Sequence, residues 1–220
     1  MTNMNDFYKT RIVFSMPLYA GTEGEAGGVY NELLYRKSLA NQLGYDTEFH
    51  NHWESLTKFN PKTDVFHVFM ANNGMLDFVI KLKSYGFKVV VSPILDTRWS
   101  AKKVWFFVSL IYNLRVIHAH LKSARQICTI SDVICSRSEQ ESEMLSIGLK
   151  TNRSKIHCVL NSPKNSIVTH SNLKSTNKKD IVFFLGNWGT ERKNVQRLVR
   201  AMEGVDAKLV IAGAASDTKI

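Results

Sequence analysis

Three stretches of this 220-residue chain collect residue types that could do chemistry. Early in the chain, LYAGTEGEAGGVYNELL spaces Gly21, Gly24, Gly27 and Gly28 between an apolar segment and a helix-like one. Such a loop offers unhindered backbone N–H groups at a helix N-terminus, where the helix dipole favours a phosphate. The spacing is not G-x-G-x-x-G, yet Glu48 lies 20 positions beyond Gly28, where a dinucleotide-binding sheet keeps its ribose-binding acid. A purely structural role for the glycines, tight backbone turning, fits the same residues. Late in the chain, FFLGNWGTERKNVQRLV repeats the arrangement: Gly186 and Gly189 follow an apolar run, and Arg192 and Lys193 stand at a helix start. Two cations and free N–H groups there would suit a diphosphate.

The third stretch is electrostatic. From Thr97 to Ser131 there is no Asp or Glu, while Arg98, Lys102, Lys103, Arg115, Lys122 and Arg125 alternate with Trp99, Trp105, Phe106, Phe107 and Tyr112. Basic and aromatic residues interleaved in this way suit a helix at an anionic membrane surface, or a face for a lipid-linked phosphate. Arg98, Lys102, Lys103, Trp105 and Arg115 are the candidates for that face, against the alternative of a packed helix with solvated lysines. The 29 Lys plus Arg exceed the 19 Asp plus Glu by 10, so an anionic partner is expected. Nucleic acid is disfavoured, because no recognition-helix or RNA-binding motif accompanies the charge.

Other reactive residues give less. His50 and His52, like His118 and His120, have H-x-H spacing without a third ligand at a known spacing, so no metal site is expected. His67 alternates with Phe66 and Phe69 and reads as a packed residue. Cys128, Cys135 and Cys158 form no C-x-x-C pair and lie in or beside apolar runs, as buried reduced thiols do. G-x-S-x-G, H-E-x-x-H and Walker A sequences do not occur.

What must position these residues is an alternation of strand-like and helix-like segments, the pattern of a parallel sheet with helices on both faces. Strands are predicted at 11–16, 46–50, 65–69, 88–92, 132–136 and 155–160, and helices at 29–43, 76–85 and 139–147, the first two closed by Gly44 and Gly86. Residues 162–179 are polar and carry Pro163, a linker composition. A second α/β unit follows, with strands at 180–185 and 208–211 and a helix at 193–202. Hydrophobic residues at 44% and charged residues at 22% describe a folding chain, and the longest largely apolar run, 104–111, is too short to span a bilayer. The first eleven residues are polar and charged, lacking the apolar core of a secretory signal.

The late glycine segment resembles the opening of the nucleotide-binding half of family 4 (group 1) glycosyltransferases of GT-B fold. Three other passages resemble that family in the same order: GGVYNELLYRKSLANQLGYDTEFH its first glycine loop, helix and second strand, DVFHVF its third strand, and SDVICSRSEQESEMLSIGL with KIHCVLNSP its later strand–helix–strand passage, here through Asp132, Ser138, Glu139, Lys155 and Asn161. The resemblance covers most of the chain. It implies a Rossmann-like N-terminal acceptor domain over 1–162, a linker at 163–179, and over 180–220 the beginning of a nucleotide-sugar-binding domain. The family's E-x7-E segment would lie beyond Ile220, so that second domain is expected to be incomplete and the chain inactive or weak by itself.

By the same resemblance, Gly27, Gly28 and Gly186 would hold the donor phosphates, and Arg192 with Lys193 would neutralise the diphosphate leaving group. Asn187 follows Gly186 where the family usually has arginine. Leu95 and Asp96 follow the fourth strand where many members carry histidine, which leaves Asp96 as the candidate catalytic polar group. The implied reaction is metal-independent glycosyl transfer, without a cofactor, from a nucleotide-sugar to a lipid-linked or saccharide acceptor in bacterial surface polysaccharide synthesis at the cytoplasmic membrane face. A non-enzymatic membrane- or partner-binding relic and an NAD-dependent oxidoreductase are the alternatives.

Overall fold

A computed structural model describes residues 10–17, 28–112, 120–161, 180–186, 188–189 and 193–213. The chain divides into two compact units, Met1–Lys164 and Asn165–Ile220. Gly21, Gly24, Gly27, Arg115, His118, Arg192 and the polar segment 162–179 lie outside the described residues.

In the first unit, β1 (Arg11–Ser15), α1 (Gly28–Gln42), β2 (Asp46–Phe49), β3 (Asp64–Phe69), α2 (Asn73–Ser84) and β4 (Lys88–Ser92) alternate as the hydrophobic pattern predicts. They are followed by α3 (Ala101–Tyr112), α4 (His120–Ile130), β5 (Val133–Ser136), α5 (Glu139–Glu143) and β6 (Ile156–Cys158). All six strands are parallel, in the order β2-β1-β3-β4-β5-β6. The unit is thus an α/β protein built on a six-stranded parallel sheet of Rossmann-like type. The chain moves from β1 outward to β2, then back across to β3 and onward, so the direction of winding reverses between β1 and β3.

Burial explains the strand composition. A parallel sheet is covered on both faces, and its strands therefore carry apolar residues on both. Val13, Phe66, Val68, Val89, Val91 and Ile134 form one core with side chains from α2, α3 and α4. Phe14 and Phe69, on the opposite face, pack against Leu33 and Ala40 of α1. Gly44 and Gly86, at φ +87 and +83, end α1 and α2 in the left-handed region that glycine enters without cost.

Three boundaries differ from the sequence expectation for local reasons. Helix α2 starts at Asn73, not Leu76, because Asn72 is extended and takes the capping position. The stretch 97–131 holds two helices, and α4 buries Ser123, Ala124, Ile127 and Cys128 in the core. Helix α5 passes into a π turn over Met144–Gly148, and Gly148 is where it meets α3: a Cβ there would stand 3.1 Å from Val104 Cγ1 and 3.3 Å from the Ala101 carbonyl oxygen.

The second unit has a parallel pair, β7 (Ile181–Leu185) and β8 (Lys208–Ala212), joined through α6 (Val195–Ala201). The helix begins two residues later than its pattern predicts, since Asn194 adopts φ +49 and cannot be a helical residue. Ile181, Phe183 and Leu185 point to the exposed side of this pair.

Candidate functional sites

In open parallel sheets a ligand sits outside the carboxyl ends of the strands, at the point where winding reverses. Here that point lies between the ends of β1 and β3. Gly28 opens α1, and a Cβ on it would meet nothing within 4 Å, so packing alone does not demand glycine there. Ser15 closes β1 with its hydroxyl buried and without a hydrogen-bond partner among the described residues. A buried hydroxyl left so costs on the order of 1–3 kcal/mol, and is a polar group ready for a ligand.

The neighbouring loops are tightly held. The Met70 N–H donates to the Ser92 carbonyl and the Ala71 N–H to that of Pro93, each at 2.9 Å, which continues the β3–β4 pairing beyond the strands. Met70 at φ +68 and Ile94 at φ +55 are in the left-handed region, a strained state for side chains of their size. Asp96 follows, exposed, on the loop from β4 to α3. Leu95, buried before it, donates its N–H to Glu141 Oε1 at 2.8 Å.

Glu48 is engaged elsewhere. Arg11 Nη1 donates to Glu48 Oε2 at 3.2 Å, Lys58 Nζ donates to Oε1, and Arg11 also pairs with Asp64. His52 Nε2 donates to the Met16 carbonyl at 2.7 Å, while His50 stacks on Phe78 with ring centroids 4.7 Å apart. His67 is buried with Nε2 2.9 Å from Ser92 Oγ. Cys128 is buried, and burial pushes its thiol up to about 12, far from thiolate chemistry at neutral pH.

Burial lowers His67 to about 3 and, with repulsion from His52, lowers His50 to about 4. A histidine whose folded pKa lies below its unfolded value of roughly 6.5 is protonated more readily in the unfolded chain. Its contribution to stability is therefore complete above about pH 6.5 and lost as pH falls toward 4 and then 3. The Asp64 and Asp132 carboxyls, both held below the ordinary carboxylate range by Arg11 and Lys83 respectively, lose their contribution only at lower pH. Urea midpoints should thus drop between pH 6.5 and 4, and His67→Leu should flatten that slope even though it leaves Ser92 without its partner.

In the second unit, Gly186 and Gly213 stand at the carboxyl ends of β7 and β8 at φ +151 and +131. A Cβ on Gly213 would fall 2.1 Å from the Gly186 carbonyl oxygen, so the two backbones touch where any side chain would part them. The Trp188 indole N–H donates to the Gly213 carbonyl at 3.1 Å. Lys193 is exposed, and its Cε lies 3.9 Å from where a side chain on Gly186 would begin. The result is a bare backbone ledge with the Lys193 side chain beside it. Gly213→Ala should cost at least ~1–3 kcal/mol in backbone strain and disrupt the β7–β8 pair, read as loss of amide-exchange protection in β8 with unit 1 unchanged.

The basic and aromatic face is carried by α3 and the loop before it. Val104, Val108 and Ile111 face the core, while Phe106 is 66% and Leu110 62% exposed. Trp99, Lys102, Lys103, Phe106 and Phe107 line an open cavity of about 530 Å³, with Trp99 set edge-on to Phe107 at 5.2 Å. Trp105 is not among those lining residues: Lys150 Nζ lies 5.1 Å from its ring centroid, a cation–π contact. Arg98 is exposed. Among the described residues no helix is long and apolar enough to cross a membrane.

Sequence reasoning missed Glu141, Ser15 and Gly213. Glu141 had a readable signal in the Ser138-x-x-Glu141 spacing of a capping box. Gly213 had a weaker one as a glycine after a strand; Ser15 had none, because its burial depends on the helices that cover β1. The six-stranded parallel sheet defines the first unit as an α/β protein of Rossmann-like type. No protein-family model matches it, and no curated protein matches its sequence.

Proposed function

We propose that the chain is glycosyltransferase-like, with the first unit serving the acceptor and the second the diphosphate of a nucleotide-sugar. The observation that carries this reading is the ledge of Gly186 and Gly213 beside Lys193. Bare backbone at strand ends lets a diphosphate approach closely, and an ammonium there opposes the charge that grows on the leaving group during transfer. The resemblance to family 4 glycosyltransferases and the parallel sheet of the first unit agree with it. The acceptor would be lipid-linked or a saccharide, with Asp96 as the exposed polar group beyond β4. The face of α3 would meet an anionic membrane surface from the cytoplasmic side. The second unit would serve as a Rossmann-like donor domain.

The nicotinamide alternative has less support, because Glu48, its proposed ribose acid, is taken up by Arg11 and Lys58. A nucleotide-release assay over a panel of sugar nucleotides tests the proposal. Saturable binding of one donor, with weak release raised by saccharide or lipid acceptor, is the expected result. Failure of every donor both to bind and to turn over would defeat it, and saturable NADH binding by fluorescence would favour the oxidoreductase.

A further inference from the structure

Strands β4 and β5 pair through Val90↔Val133 and Val91↔Ile134, with the Asp132 N–H donating to the Val89 carbonyl before them, and toward the carboxyl edge the ladder stops after Val91 and Ile134. On either side the sheet continues: the Met70 and Ala71 amides bond to the ends of β4, and the Val159 N–H donates to the Ser136 carbonyl across β5 and β6. The carboxyl edge is therefore split at one seam, between β4 and β5.

The Glu141 side chain bridges that seam. Glu141 is 7% exposed. Its Oε1 accepts the Leu95 N–H from the β4 side at 2.8 Å, and its Oε2 accepts the Arg137 N–H from the β5 side at 2.6 Å. The Arg137 guanidinium adds charge neutralisation through Nη2 to Oε1 at 3.3 Å. In an ordinary capping box the glutamate at this position would turn back to the backbone N–H of the cap residue, Ser138. Ser138 Oγ does accept the Glu141 N–H at 3.1 Å, but the carboxylate is diverted to Arg137 and to Leu95, which is 46 residues away in sequence.

A buried carboxylate costs a great deal unless compensated, and this one is compensated by two backbone amides from two different loops and by one guanidinium. Leu95 sits between strained Ile94 and exposed Asp96. From this geometry we infer that Glu141 is a positioning residue: it holds the β4–α3 loop in its strained course and so sets where Asp96 is presented at the carboxyl edge. The functional half of this inference rests on the proposed reading of that edge as the acceptor site; the positional half does not.

Glu141→Gln keeps the shape and removes the charge, and Glu141→Ala removes both. Because hydrogen bonds to charged groups are the strong ones, amide-exchange protection of Leu95 should fall roughly ten- to a hundredfold in Glu141→Gln, while Val89 and Ile134 in the same strands stay within about twofold. If Leu95 protection is unchanged, or if strand amides fall with it to the same degree, positioning is refuted and Glu141 is only part of the core. In the nucleotide-release assay the same variant should lower kcat about tenfold or more with KM for the donor within about twofold. A wild-type chain without turnover defeats the proposed function but leaves the exchange result to decide the role of Glu141. Normal kcat in a variant whose Leu95 amide is deprotected would overturn the link to Asp96.

Discussion

Lys193→Ala should lower turnover of the preferred nucleotide-sugar by roughly a hundredfold or more, the usual loss when one donor to a developing oxyanion is removed. The argument is local. Gly186 and Gly213 supply backbone without side chains, so the ledge itself can contribute only N–H and C=O dipoles, and the Lys193 side chain runs beside it, its Cε 3.9 Å from where a Cβ on Gly186 would stand. Lys193→Arg should keep a larger share of activity, since charge is preserved although the fork geometry differs from a point ammonium. Circular dichroism and β8 amide exchange should stay at wild-type values, because Lys193 is exposed and precedes α6 without belonging to it. Wild-type turnover in Lys193→Ala would remove the main support for the diphosphate site.

Reversing Lys102 and Lys103 to glutamate together should weaken binding to vesicles rich in anionic lipid by roughly a hundredfold, measured by flotation. Each basic residue close to such a surface is worth about 1 kcal/mol; the double variant loses two attractions and gains two repulsions, part of which salt screens. The apolar part of the face should behave differently. Phe106→Ser with Leu110→Ser should weaken binding to neutral and anionic vesicles alike, because both side chains are more than half exposed and contribute area, not charge. Wild-type binding to neutral vesicles as tight as to anionic ones would contradict the electrostatic half of the proposal. Unchanged flotation of Lys102→Glu/Lys103→Glu would move the surface away from α3.

Much of the first unit was legible because parallel strands announce themselves. RIVFS, DVFHVF and KVVVS are short apolar runs rich in β-branched and aromatic residues, and their helices carry leucines at turn spacing. The helices between Thr97 and Ser131 were harder. Their lysines and aromatics read as one surface, whereas α4 turns small residues, Ser123 and Ala124, into the core, and small side chains give little periodic signal. The late start of α6 depends on one left-handed asparagine, and backbone dihedrals are not written in hydrophobic spacing. Of the site residues, Lys193 and Gly186 could be placed beside each other from their segment alone. Glu141 could not be tied to Leu95, because that contact spans 46 positions and exists only once β4 and β5 lie side by side.

The close approach of Gly148 to α3 has a mechanical meaning for the face that α3 displays. A methyl group at Gly148 would fit against Val104 and the Ala101 carbonyl only if they gave way by a few tenths of an ångström, and Val108 and Ile111 are buried along the same helix. The helix therefore cannot roll about its axis or peel away without opening the core. A surface that takes up Phe106 and Leu110 meets a stiff keel, and the whole first unit must arrive in one attitude, with the tilt of the unit set by the tilt of that helix.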